Sequence, residues 1–395
     1  MRHIGVDESS DPVEDPYCKL HLNSPVGGWF PALRTLSWSI TESNLPYADL
    51  FFSPHLEAIF IQVSWSLSLH RIPSDILSTI ASTIAILPAS ALQVLLVEIH
   101  CPRIPPLYLK DPLSSVVLRC GPLLTEFSSP IPLSSAAVNH LIQLPHLRTW
   151  DTGDPPPTYS PSSLPLVFPP LIKFTLRKHA AHGWLSLFKR LQHGVSTTQG
   201  ATPLSRVVES LQSLDIESFH DRITDFSFAS TIQIFRNLVS LNVGARCHAT
   251  NGEVQCGFKL DNDNINNLAT ALPQLESLFL GRVCPENTCA TTVVCLLVIS
   301  VCCIKLQELE VHFNTTNIVE DFKNISEDPQ LREASSLPRC TLSCLDVTQM
   351  PLTLDEPGLE IVVNGMINIF PALGGFAGRE QVWDRLNARI VEGGV

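Results

Sequence analysis

Positive charge is scarce in this chain. Lys and Arg number 26 against 38 Asp and Glu, a net charge of −12, and charged residues of both signs make up only 16% of the 395 positions. A phosphate-backbone binder needs a basic footprint, so no nucleic-acid partner is expected. Low charge beside 45% apolar residues also excludes intrinsic disorder for most of the length. Long apolar runs are missing too. The longest, Val293 to Ile304, is shorter than the roughly 20 residues of a bilayer span and reads as a buried helix. The apolar stretch Thr79 to Val97 is broken at Pro88, which predicts a helix followed by a strand. No membrane partner is expected. Residues Met1 to Tyr17 are acidic and hold no apolar core, so they do not read as a secretory signal.

Signatures of catalysis are absent as well. No phosphate-binding G-x-x-x-x-G-K-S/T loop, G-x-G-x-x-G turn, H-E-x-x-H pair or G-x-S-x-G elbow occurs. The paired carboxylates Glu320-Asp321, Glu327-Asp328 and Asp355-Glu356 lie in polar segments and read as solvated loop or helix-start charges. His179 and His182 have no carboxylate near them in sequence and read as surface residues. The 12 cysteines follow no disulfide framework, and Cys295, Cys302 and Cys303 sit inside an apolar pattern. Buried reduced thiols fit a cytoplasmic or nuclear protein. Cys247, His248, Cys256, Cys284 and Cys289 invite a zinc reading, but only the Cys284–Cys289 gap suits a structural site. These five are read as loop and core residues, with no metal and no cofactor expected. The sequons Asn314-Thr315-Thr316 and Asn324-Ile325-Ser326 are read as chance matches.

What the chain has in excess is leucine, 55 residues, together with 31 prolines. The leucines recur in one phrase, a short lead-in that often ends in Pro, then L-x-x-L-x-(L/I/V). FPALRTLSW, SPHLEAIFI, LPHLRTWDT, VESLQSLDI, LPQLESLFL and CIKLQELEV are examples. Twelve phrases start on Leu33, Leu56, Leu92, Leu124, Leu147, Leu171, Leu211, Leu238, Leu275, Leu306, Leu342 and Leu373, 23 to 40 residues apart. Alternation within the phrase puts leucines on the inner face of a short strand and the intervening residues outward. The connections are long enough for a helix, as a parallel neighbour requires. One repeat cannot bury its own apolar face; stacked repeats can. The expected fold is therefore α/β, an irregular leucine-rich-repeat solenoid, or horseshoe, with parallel strands on the concave face and helices on the convex face.

Segments between the phrases supply helix signals. Ser74-Asp75-Ile76 opens an amphipathic stretch ending near Leu87, with Ser74 as a cap. Ser134-Ser135 leads into a helix through Leu144, and Asp261 to Asp263 precede another. Thr288 or Thr291 is placed to cap the apolar helix through Ile304, and Pro357 suits a first helical turn. Residues 151–170, 193–203 and 247–256 read as surface loops. The expected organisation is an acidic tail over 1–29 and an array over 30–395, closed by a capping helix near 378–392. On that helix Trp383, Leu386 and Ile390 share one face. No comparable element precedes Phe30, which points to a missing N-terminal segment, because the first strand would otherwise expose its edge.

Charge is divided unevenly: residues 1–197 carry a net −1 and residues 198–395 a net −11. On the phrase register, outward positions include Arg34, Arg148 and Lys173 early, then Asp215, Glu217, Glu276, Glu308, Glu310 and Asp346 late. These nine are the candidate partner-binding residues. The late acidic stripe predicts a protein partner carrying a basic segment.

The chain resembles a large family of F-box/leucine-rich-repeat proteins of mushroom-forming fungi. The resemblance is carried by LRTLSWSITESNLPYADLFFSPHL (33–56), the stretch 111–150 from DPLSSVVLRC to LIQLPHLRTW, SSLPLVFPPL (162–171) and ATPLSRVVESL (201–211). It continues through FRNLVSLNV (235–243), ALPQLESLFLG (271–281), ENTCATTVVCLL (286–297), HFNTTNIVEDFKNISEDP (312–329) and PLTLDEPG (351–358), covering about residues 30 to 390. It implies a non-catalytic substrate receptor of a Skp–cullin–F-box ubiquitin ligase, whose repeats hold a protein target. Residues 1–30 hold nothing like the family's F-box. A Skp adaptor is therefore expected as a partner only if an upstream F-box exists. Two alternatives stand beside this reading: an F-box-less decoy or non-functional fragment of the family, and an enzyme whose site is assembled across repeats.

Overall fold

The structure, a computed structural model of the chain, describes residues 30–40, 50–63, 74–99, 106–153, 168–177, 183–185, 187–188, 205–219, 228–246, 261–280, 290–329, 339–346, 352–377 and 381–393. The expected tail 1–29 lies outside these residues. So do the segments 193–203 and 247–256, most of the loop 151–170, and His179, His182, Thr288, Cys284 and Cys289. Two compact units divide the chain, Met1–Ile172 and Lys173–Val395. Each is an α/β unit built on parallel strands.

The first unit holds β1 (Thr35–Ile40), β2 (Ala58–Val63), β3 (Val94–Ile99), β4 (Glu126–Ser129) and β5 (Thr149–Thr152), each paired in parallel with the next. Helices α1 (Ser74–Ala85), α2 (Pro106–Arg119) and α3 (Ser135–Gln143) connect and follow them. In the second unit β6 (Lys173–Arg177), β7 (Ser213–Phe219), β8 (Ser240–Arg246), β9 (Ser277–Leu280), β10 (Glu308–Val311), β11 (Cys344–Asp346) and β12 (Phe376–Ala377) again pair in sequence order. Its helices are α4 (Ser205–Ser210), α5 (Phe228–Ile232), α6 (Asn262–Ala271), α7 (Val294–Cys302), α8 (Ile318–Glu327), α9 (Glu356–Ile369) and α10 (Gln381–Gly393).

The phrase sets the strands directly. Eleven of the twelve begin two residues after a phrase leucine, and β12 begins three after Leu373. The second apolar position of the phrase, most often leucine, then falls on the inner face in β1 to β11. In the first unit one inner row runs Leu36–Ile59–Leu95–Phe127–Trp150. In the second the same row runs Phe174–Leu214–Leu241–Leu278–Leu309–Leu345. All of these side chains are buried. The outer rows stay partly open. In-register stacking of like side chains gives an interior strand two apolar neighbours, which a single repeat could not supply.

Three helix starts follow local chemistry, while Val293 before α7 and Asn317 before α8 make no side-chain cap. Ser134 accepts the Ala137 N–H at 3.3 Å, Asp261 the Asn264 N–H at 2.7 Å and Asp355 the Gly358 N–H at 2.8 Å, each satisfying an orphan donor. At α7 the expectation for Thr291 fails; it is Thr292 whose Oγ1 accepts the Val294 N–H, at 3.4 Å. Thr291 is fully buried, and its hydroxyl donates instead to the His312 carbonyl at 2.5 Å. Burial that is nearly all-round also holds the helix: Cys295, Leu296, Leu297, Ile299 and Ser300 are buried. At the C-terminus, α10 packs on β12 and α9, with Trp383, Leu386 and Ile390 buried. Arg385 pairs with Glu356 at the start of α9.

One close approach is decided by a glycine. Gly365 on α9 faces the buried Phe322 ring of α8, and a Cβ there would meet the ring, with even Cγ only 2.7 Å away. Helix propensity alone favours alanine over glycine by about 1 kcal/mol. Overpacking against a fixed ring costs about 1–3 kcal/mol, so Gly365→Ala is expected to destabilise the protein in urea unfolding. Adding Phe322→Leu should recover most of the loss. A stabilised Gly365→Ala protein would show that α8 and α9 are not packed this closely.

Candidate interaction surface

Hydrogen bonding orders the residues of the open face into lines that run across the strands. The residue just before each strand forms the first line. In the first unit it runs Arg34–Glu57–Gln93–Thr125–Arg148, each carbonyl accepting the next strand's amides. In the second it runs Gln212–Val239–Glu276–Gln307–Ser343. Of the nine candidate residues, Arg34, Arg148 and Glu276 lie on this line, and all three are exposed. Arg34 is not an isolated cation: its Nη1 donates to Glu57 Oε1 at 2.6 Å.

The outer rows follow. In the second unit the first is Lys173–Ser213–Ser240–Ser277–Glu308–Cys344, and the next is Thr175–Asp215–Asn242–Phe279–Glu310–Asp346. A third pairs Arg177, Glu217 and Gly244. Lys173, Glu217 and Glu308 are exposed, while Asp215, Glu310 and Asp346 are half-buried. Glu308, Glu310 and Asp346 thus occupy neighbouring positions on β10 and β11, about 5–7 Å apart by strand geometry. The Ser277 hydroxyl donates to Glu308 Oε2 at 3.1 Å and fixes that carboxylate. From β7 to β11 the first two rows hold four carboxylates and no lysine or arginine. The cations Lys173 and Arg177 belong to β6. Glu276 stands on a different line from Glu308 and Glu310, which sequence spacing did not distinguish.

The sequence reading also missed Phe279. It is half-buried on the outer row, between Asn242 and Glu310. The signal was present: the third x of LESLFL is an outward position, and an aromatic there sits beside the acidic stripe.

The thiols are arranged to pack. Cys120 and Cys303 take the helix-end position that Leu87, Leu144, Leu211 and Leu272 fill elsewhere, and all are buried. Burial raises the Cys120 thiol to about 12 against a small opposing effect of Arg119. Burial, then the neighbouring Cys302 and Cys340, raises Cys303 to about 12. Cys340 is raised to about 11, mainly by burial. A nucleophilic or metal-binding thiol needs the opposite shift. Cys344 alone among the described cysteines is exposed, and it pairs in register with Glu308. The Glu320-Asp321 pair opens α8, where burial and then Glu320 raise the Asp321 carboxyl.

Among the described residues, no group of three or more His, Cys, Asp or Glu is placed to hold a metal ion. Cys247, His248, Cys256, Cys284 and Cys289 lie outside the described residues. No helix of the described residues is long and apolar enough to cross a membrane. No known protein-family model matches the chain, and no curated protein matches its sequence.

Proposed function

We propose that the chain is a non-catalytic protein-interaction module. Its strands form a leucine-rich-repeat array in which the open strand face is concave and holds a protein. The resemblance to F-box/leucine-rich-repeat proteins makes the role that of a substrate-binding part of a Skp–cullin–F-box ligase receptor, with a Skp adaptor bound only through an upstream F-box. Burial of Cys120, Cys303 and Cys340 as reduced thiols suits work in the cytoplasm or nucleus.

The observation that carries this reading is the open acidic face of the second unit. Glu308, Glu310 and Asp346 stand side by side on adjacent strands, with Phe279 next to them. Grouped carboxylates raise the local concentration of a cationic partner and steer its approach. The aromatic face adds attraction for a lysine or arginine of about 0.5–1 kcal/mol at an exposed site. The partner is therefore a protein with a basic segment.

A fluorescein-labelled (Lys-Ser)6 peptide tests this by anisotropy, with (Glu-Ser)6 as control. Binding of the lysine peptide is expected in 50 mM salt. It should weaken about tenfold in 500 mM salt, because exposed charge attraction is screened. The triple variant Glu308→Lys, Glu310→Lys, Asp346→Lys should abolish it, whereas Glu276→Lys, on its separate line, should weaken it less. Equal binding by wild type and triple variant would remove the acidic face from the proposal.

A further inference from the structure

The outer rows of the first unit differ in kind. They run Thr35–Ala58–Val94–Glu126–Thr149 and Ser37–Phe60–Leu96–Ser128–Asp151, with Ser39–Gln62–Glu98 beyond them. Ala58, Phe60, Val94 and Leu96 form a two-by-two apolar block on β2 and β3. All four are half-buried side chains on the open face, not members of the core. The block measures about 5 Å across the strands and about 7 Å along them. That is room for one large apolar side chain or two small ones.

Its border is polar, and the carboxylates lie on particular sides. Thr35 and Ser37 bound it toward β1. Gln62 and Glu98 follow it at the C-terminal ends of the strands. Glu126 adjoins it on β4, and Asp151 lies one strand further on β5. Asp151 is held in place: it is only 9% exposed, and Oδ2 accepts the Ser128 hydroxyl at 2.9 Å. The nearest cation of the preceding line, Arg34, is already bonded to Glu57. An apolar centre with a polar rim is the anatomy of a protein interface, where a few anchor side chains carry most of the energy.

We infer that this block is a docking site for an amphipathic linear segment of a partner protein. The segment places one or two large apolar side chains on Phe60 and Leu96 and a lysine or arginine beside Glu126 and Glu98. Charge complementarity selects that occupant: the carboxylates stand on the β4 side and at the strands' C-terminal ends, and a segment lying across the block meets them with its flanks. The inference rests on the reading of the open strand face as an interaction surface, but it concerns different residues from the acidic stripe of the second unit.

The test is a display library of random twelve-residue peptides, panned in parallel on the full chain and on a Phe60→Thr, Leu96→Thr variant. Threonine keeps strand propensity, so the fold should survive. Circular dichroism checks this, and Val94→Lys serves as a second, independent block variant. Enriched peptides are expected to combine a large apolar residue with Lys or Arg. They should bind wild type at least tenfold more tightly than either variant, and Glu98→Lys with Glu126→Lys should weaken them at least threefold. No enrichment, equal affinity for wild type and both block variants, or no excess of basic residues overturns the inference. Peptides lost on Glu308→Lys, Glu310→Lys but not on Phe60→Thr, Leu96→Thr would overturn it while leaving the acidic face of the second unit standing. A concentration-dependent dimer in light scattering that Phe60→Thr abolishes would assign the block to a second copy, and the inference would fall.

Discussion

Replacing Leu278 by alanine is expected to lower the unfolding free energy by about 3 kcal/mol, while Phe279→Ala, one residue along, should cost about 1 kcal/mol or less. The larger side chain gives the smaller effect because alternation places the two on opposite faces. Leu278 lies in the buried row between Leu241 and Leu309 and is 1% exposed. Truncating it removes contacts with both neighbouring strands and leaves a cavity that like side chains in fixed register are poorly placed to fill. Phe279 faces outward and already meets solvent. Urea unfolding of the two variants measures the contrast. A reversal would mean that β9 pairs one residue out of register, since a slip of one exchanges the faces.

Alkaline pH is expected to destabilise the protein through Cys120. Its thiol ionises near 9.0 in an unfolded chain and is raised to about 12 in the fold by burial. A group whose folded pKa is raised contributes its full stability below the unfolded value and loses it as pH climbs toward the folded one. The window is therefore pH 9 to 12. From pH 8 to pH 10 the loss from this one thiol is about 1.4 kcal/mol. Other groups titrate there too, so the measurement is a difference. Unfolding free energies of wild type and Cys120→Ala are compared at pH 8 and pH 10. The variant loses the thiol's packing at both pH values, but its decline with pH should be shallower by that amount. Parallel declines would show that the thiol reaches water in the folded state.

Much of this architecture is legible in the residues. The phrase leucines mark where each strand starts, and eleven of the twelve, all but Leu33, are buried. The reason is local. A period of two fixes which side chain faces in, and the distance to the next phrase forces a parallel neighbour. Asp261 was readable at a helix start for the same reason: the carboxylate, the orphan amide and the chain between them span only four residues. Asp355, read only as a loop or helix-start charge, caps in the same way.

Contacts between distant segments were not legible. Phe174 and Phe188 meet Trp184 and Phe235 in one aromatic cluster, with Phe174 and Trp184 5.4 Å apart edge to face, and no periodicity joins them. Thr291 reads locally as a cap, yet a carbonyl 21 residues away takes its hydroxyl. Gly365 reads as a weak helix residue until Phe322 is seen against it. The candidate site divides in the same way. That Asp215, Glu308, Glu310 and Asp346 face outward follows from alternation within their own strands. That Glu308, Glu310 and Asp346 adjoin one another, that Glu276 stands on a separate line, and that Phe60 and Leu96 form one block depends on register between strands. Sequence by itself determined the period, the strands and the sign of the charge, because each depends on neighbours a few residues apart. Only the tertiary structure decided which outward residues share a row, because that depends on hydrogen bonds between repeats whose connecting lengths differ.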